Sequence, residues 1–254
     1  MTINYRLDGP ESAPVLVLSN SLGTTLSMWD AQIAELSKRF RVLRYDTHGH
    51  GQTVKQGKVT LSQLAENVIT LLDTLNIPKA YFCGISMGGL TGLWLARFAP
   101  ERFHAIVVAN TAAKIGEQAG WLSRARTVRH EGMGVVAAGA ADRWFSHEFR
   151  QHHPAEVEQL CHQLANTNAE GYAECCDALA AADLRAEVAA IRLPMLIIAG
   201  EYDPVTTIDD ADYLHQQIDG SMLVELPASH LSNIEASEEF TAALVAFVER
   251  DYER

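Results

Sequence analysis

Short runs of β-branched and apolar residues recur along the chain, separated by stretches whose apolar positions fall three and four apart. The runs predict strands at Val15–Ser19, Arg41–Tyr45, Ala80–Ile85, Ala105–Ala109, Met195–Ala199 and Met222–Leu226. The stretches between them predict helices, including Leu61–Leu75, Gly88–Phe98 and Ile208–Gln217. Strands that are apolar almost throughout suit a parallel sheet covered on both faces. Their alternation with helices predicts a doubly wound α/β domain.

The alternation stops between Lys114 and Ile191, where the pattern is helical and no convincing strand occurs. The strand at Met195 then resumes the sheet. We therefore divide the chain into a core formed by residues 1–113 and 192–254 and an inserted helical cap of residues 114–191.

Composition narrows the class. With 254 residues, 48% hydrophobic and 20% charged, the chain has an ordinary globular balance. The N-terminus lacks a basic segment followed by an apolar run, and the apolar runs, such as Pro194–Ala199, are too short to span a bilayer. Cys83, Cys161, Cys175 and Cys176 show neither metal-ligand spacing nor a disulfide framework. A cytoplasmic protein with free thiols is expected, with Cys175 and Cys176 as buried filler. The net charge of −12 argues against nucleic acid and anionic membrane surfaces as partners. The chain stops soon after its last helix, so no further catalytic domain is expected.

Chemistry enters at Gly84-Ile85-Ser86-Met87-Gly88-Gly89, a G-x-S-x-G segment between a strand and a helix. This is the context in which the motif forms a nucleophile elbow. A chain reversing so sharply strains the serine backbone, and only small flanking residues let neighbouring backbone approach. A serine nucleophile requires a base, and the base requires an orienting acid. In this fold the acid precedes the histidine. The strand at Met195 leads into Gly200-Glu201-Tyr202-Asp203, which nominates Asp203, with Glu201 second. The strand at Met222 leads into Pro227-Ala228-Ser229-His230, which nominates His230; His215 lies mid-helix. For the oxyanion hole we expect the backbone N–H of Met87, at a helix N-terminus, and that of Leu22 in Asn20-Ser21-Leu22-Gly23, with Ser21 second.

The chain also resembles a known family, the 3-oxoadipate enol-lactonases. The similarity runs through Ser19–Gly23, Met28-Trp29, Arg41–Thr47, the elbow Gly84–Gly89, Asn110–Gly116, Ala181–Arg185 and Ala228-Ser229-His230 to Glu235. Two of these segments, Ala181–Arg185 and the end of Asn110–Gly116, lie in the cap, where the fold alone makes no demand. The resemblance implies an α/β-hydrolase fold with Ser86, Asp203 and His230 as the triad. It further implies hydrolysis of 3-oxoadipate enol-lactone to 3-oxoadipate in aromatic-compound catabolism, with no metal or organic cofactor. One departure stands out: the family usually reads D-x-R-G-H-G where this chain has Asp46-Thr47-His48-Gly49-His50-Gly51. His48 replaces an arginine, which puts any ion pair there in question. His48 and His50 read as packing and loop residues rather than metal ligands.

The implied substrate is a small anion, which a chain of −12 repels at long range. Residues 111–150, however, carry six basic against four acidic side chains, net +2, which leaves −14 for the rest. Screening over about 8 Å at physiological salt makes the local charge the relevant one. Trp121, Arg124, Ala125 and Val128 share one helical face. Arg124 is the expected partner of the substrate carboxylate, and Trp121 is expected to pack on the lactone ring or close the pocket, with Arg143-Trp144 in reserve. The same elbow also serves other carboxylesterases and carbon–carbon bond hydrolases.

Overall fold

A computed structural model describes residues 2–55 and 57–252. Its centre is a seven-stranded sheet in the order β1-β3-β2-β4-β5-β6-β7. The strands are β1 (Tyr5–Asp8), β2 (Val15–Ser19), β3 (Arg41–Tyr45), β4 (Ala80–Ile85), β5 (Phe103–Ala109), β6 (Met195–Gly200) and β7 (Met222–Leu226). All neighbours pair in parallel except β1, which runs antiparallel to β3 with Tyr5 opposite Tyr45. The chain thus adopts the α/β-hydrolase fold, as expected.

The apolar runs in the middle of the sheet became buried strands for a simple reason, while Met222–Leu226 forms a partly exposed edge. Every residue of β4 and β6 is buried, because helices cover both faces of the sheet. β1 escaped the sequence reading because it has no such run; Tyr5 and Arg6 are exposed on an edge. The helix Leu61–Thr74 starts at a capping box in which Thr60 and Gln63 satisfy each other's backbone N–H groups. It buries Leu61, Leu64, Ala65, Val68, Leu71 and Leu72, the stripe its spacing predicts. The helix Ser237–Tyr252 packs against the short helix Asp30–Leu36.

Between β5 and β6 the chain is helical, the longer segments being Gln118–Glu131, Pro154–Ala165 and Ala169–Ala181. The first and last of these pack together, and Arg129 bridges them to Glu170 and Asp177. At the base of this insertion the Leu184 N–H donates to the Ala113 carbonyl. Elsewhere the Leu231 N–H donates to the Trp144 carbonyl, and Glu235 accepts from the N–H groups of both Ser146 and Ser229. The insertion is therefore bonded directly to the loop that carries His230. Cys175 and Cys176 are buried in Ala169–Ala181 as free thiols. Among the described residues, no helix is long and apolar enough to cross a membrane.

Candidate active site

The parallel strands end on one edge, and the loops leaving β2, β4, β5, β6 and β7 gather there. Ser86 follows β4 directly, with φ 58° and ψ −115°. A side chain on Gly84 would sit 2.2 Å from the Gly88 carbonyl oxygen, and one on Gly88 would sit 2.3 Å from that of Ser19. Those two glycines are what allow the reversal to close and the β2 loop to lie against it. The Ser86 backbone is held from β5, donating its N–H to Ala109 and accepting at its carbonyl from the Thr111 hydroxyl.

The Ser86 hydroxyl oxygen lies 2.9 Å from His230 Nε2. His230 Nδ1 lies 2.8 Å from Asp203 Oδ2. Because a carboxylate accepts, Nδ1 carries the proton and Nε2 is left to receive one from Ser86. All three residues are buried; Ser86 is 6% and His230 3% exposed. The structure thus brings together the three residues selected from sequence. Glu201, the second choice for the acid, is exposed, and His215 lies on the surface near Ser221.

Asp203 is held at both oxygens. Oδ1 accepts the N–H groups of Val205 and Thr206, while Oδ2 accepts from His230, the Thr206 hydroxyl and Asn110 Nδ2. Burial pushes its pKa up, but the charge and hydrogen bond of His230, with those of Asn110 and Val205, outweigh burial and hold it below the ordinary value. Asn110 was not foreseen as a site residue. It directly follows β5, in the left-handed region at φ 46°, a conformation asparagine tolerates better than most residues. That pattern, an asparagine at a strand's C-terminal edge, was the available signal.

Met87 opens the helix Met87–Phe98, so its N–H points out of the helix N-terminus beside Ser86. In the β2 loop the Thr24 N–H donates to Ser21 and the Gly23 N–H to His50 Nε2. Among the described residues, the Leu22 N–H has no acceptor.

In the insertion, the Arg124 guanidinium lies 4.8 Å from the Trp121 ring, whose own N–H donates to the Ile115 carbonyl. Arg143 is drawn below its ordinary pKa first by burial and then by the nearby charge of Arg124. Both arginines influence Tyr172, whose phenol burial pushes up to about 12. Tyr172 in turn borders Gly23 of the β2 loop. Lys114, Arg129 and Arg150 are occupied by Glu117, Glu170 with Asp177, and Asp142. Among the described residues, neither Arg124 nor Arg143 has a carboxylate partner. Among the same residues, no cluster of three or more His, Cys, Asp or Glu side chains could hold a metal ion.

Residues 10–225 match the hydrolase family described as serine aminopeptidase, S33. The chain is 50% identical to 3-oxoadipate enol-lactonase 2 of Acinetobacter baylyi, over 98% of this chain and 94% of that protein. It is 47% identical to 3-oxoadipate enol-lactonase 1 of the same organism, over 97% and 93%. The crystal structure of the enol-lactonase from Burkholderia xenovorans LB400 superposes with a TM-score of 0.95 at 46% identity, covering 97% and 96% of the two chains. The chain belongs to the 3-oxoadipate enol-lactonases, within the α/β-hydrolases. It is an enzyme, a hydrolase acting on ester bonds. Where the arginine is expected after β3 this chain has His48, and its Nε2 lies within hydrogen-bond distance of the Glu174 carboxylate, at 2.7 Å.

Proposed function

We propose that the protein opens 3-oxoadipate enol-lactone to 3-oxoadipate through an acyl-enzyme on Ser86. The reading rests on one observation above all: Ser86, His230 and Asp203 form a continuous hydrogen-bonded array on a strained elbow. Ser86 attacks the lactone carbonyl while His230 Nε2 takes its proton. Asp203 keeps the imidazole in the required tautomer and stabilises its cation. The N–H groups of Met87 and Leu22 receive the oxyanion. Collapse breaks the ring C–O bond and expels an enolate, and His230 returns the proton to the leaving group. Water, deprotonated by His230, then releases the acid and restores Ser86.

The insertion acts as a cap that supplies the counter-charge. Two partly buried guanidinium groups without carboxylate partners favour a carboxylate ligand, and Arg124, propped on Trp121, acts more strongly than Arg143 on Tyr172, which borders Gly23 of the β2 loop. This fits a substrate whose acetate arm is anionic although the protein is strongly acidic overall.

A fluorophosphonate probe tests the reading directly. Labelling should fall on the peptide containing Ser86 and abolish lactone turnover in proportion. Turnover that survives complete labelling overturns it.

A further inference from the structure

The loop after β3 has no atom in the Ser86 array, yet it touches the oxyanion loop. His50, 1% exposed, directs its Nδ1–H to the His48 carbonyl at 2.9 Å. That leaves Nε2 as an acceptor, and the Gly23 N–H donates to it at 2.9 Å.

We propose that His50 is a positioning residue for the oxyanion hole: by accepting the Gly23 N–H, its neutral imidazole locks the peptide beside Leu22 and aims the Leu22 N–H at the substrate carbonyl oxygen. The inference rests on the oxyanion assignment made above. The geometry on both sides of Leu22 carries it. In a trans peptide the C=O and N–H point in opposite directions. The Ser21 carbonyl is turned inward by the Thr24 N–H and hydroxyl, at 3.3 and 2.7 Å, so the Leu22 N–H of the same peptide points outward. On the other side stands Gly23 at φ 81°, a residue free to rotate unless its N–H is held. His50 is what holds it.

The cap presses on this arrangement. A side chain on Gly171 would meet the Gly49 Cα at 2.6 Å, so the two backbones are in direct contact. Glu174 pairs with His48 on one side and Lys55 on the other. The Tyr172 ring lies 6.2 Å from that of His50. Asp46, on the same loop, is the remaining charged group that acts on His50. Burial keeps His50 a weaker base than usual, which preserves the lone pair that Gly23 needs.

Three variants test this. His50→Phe keeps a ring without an acceptor; His50→Gln keeps an acceptor where Nε2 stands; His50→Asn keeps a shorter one that falls short of Gly23. For His50→Phe we expect kcat on the lactone to fall about 10- to 100-fold, with KM changed less than about twofold. Affinity for a trifluoromethyl ketone that forms a hemiketal with Ser86 should fall in parallel, while affinity for the product 3-oxoadipate holds. His50→Gln should recover most of both losses. Where His50→Phe does not unfold cooperatively, His50→Asn takes its place with the same expectation. Equal losses of ketone and product affinity, or kcat unchanged without the acceptor, overturn the inference while leaving the acyl-enzyme intact. A wild-type protein that turns over the lactone but forms no hemiketal on Ser86 overturns both.

Discussion

Asn110 donates from Nδ2 to the oxygen of Asp203 that also receives His230, at 3.0 Å. Its own Oδ1 accepts from the Ser232 hydroxyl, and the same Nδ2 reaches the Ser229 carbonyl, so one side chain ties the acid to the segment flanking His230. The carboxylate is thereby fixed before the imidazole gains charge.

Replacing Asn110 with glycine removes the bond to Asp203 together with those to Ser229 and Ser232, and glycine accepts the left-handed backbone. A hydrogen bond to a charged group contributes about 1.5–3 kcal/mol. We therefore expect kcat to fall roughly 10- to 100-fold with little change in KM, measured on the lactone at neutral pH. A loss confined to KM would contradict the role.

Arg124→Ala should weaken hydrolysis of the anionic lactone far more than that of its neutral methyl ester. Truncating one partner of a buried charge pair costs roughly 2–5 kcal/mol. Arg124 is only half-buried, so the lower end applies, about 30-fold in kcat/KM for the acid. Equal losses on acid and ester would remove Arg124 from the binding site and turn attention to Arg143.

His50 gives the stability a defined pH dependence. Burial first, and then the charge of His48, hold its pKa below the ordinary 6.5, against the His48 carbonyl and Asp46. The unfolded chain therefore binds a proton that the native imidazole refuses. The contribution is fully present above pH 6.5 and is lost as pH falls from there through the folded value. Asp203, also lowered, adds to the loss only below its ordinary 3.8. Thermal unfolding across roughly pH 7.5 to 5 should show a Tm decline that is shallower in His50→Gln. Parallel curves would contradict it.

Two glycines in the cap should respond oppositely to alanine. Gly171→Ala drives a methyl group into Gly49, and overpacking of this kind costs about 1–3 kcal/mol. Gly120 lies in the helix Gln118–Glu131 with nothing within 4 Å of an added Cβ, so alanine there should stabilise by about 0.8–1 kcal/mol. Urea denaturation of the two variants checks both signs.

Much of this site could be read from the chain because it is built from local signals. Ser86 stands in a glycine-bracketed turn, Asp203 follows a strand that runs apolar up to its loop, and His230 follows the next strand, Met222–Leu226, by four residues. Local pattern fails where the partner is distant. His48 and His50 read as loop filler because Glu174 lies 126 residues beyond His48 and Gly23 lies 27 before His50. β1 was missed because its four residues gain their structure from pairing with β3, not from an apolar pattern of their own. The cap announced itself as helical, but which of its arginines lacked a carboxylate became visible only when Lys114, Arg129 and Arg150 were found already paired.

Whether Ser86 opens the lactone is read from the ultraviolet loss of 3-oxoadipate enol-lactone, followed with wild type beside Ser86→Ala. Turnover should be fast in wild type and fall by about 10⁴-fold or more in the variant, down to whatever the oxyanion hole and binding alone supply. Lactone turnover in Ser86→Ala close to that of wild type would contradict this role of Ser86, as would a wild type that cleaves simple aryl esters through Ser86 and leaves the lactone untouched.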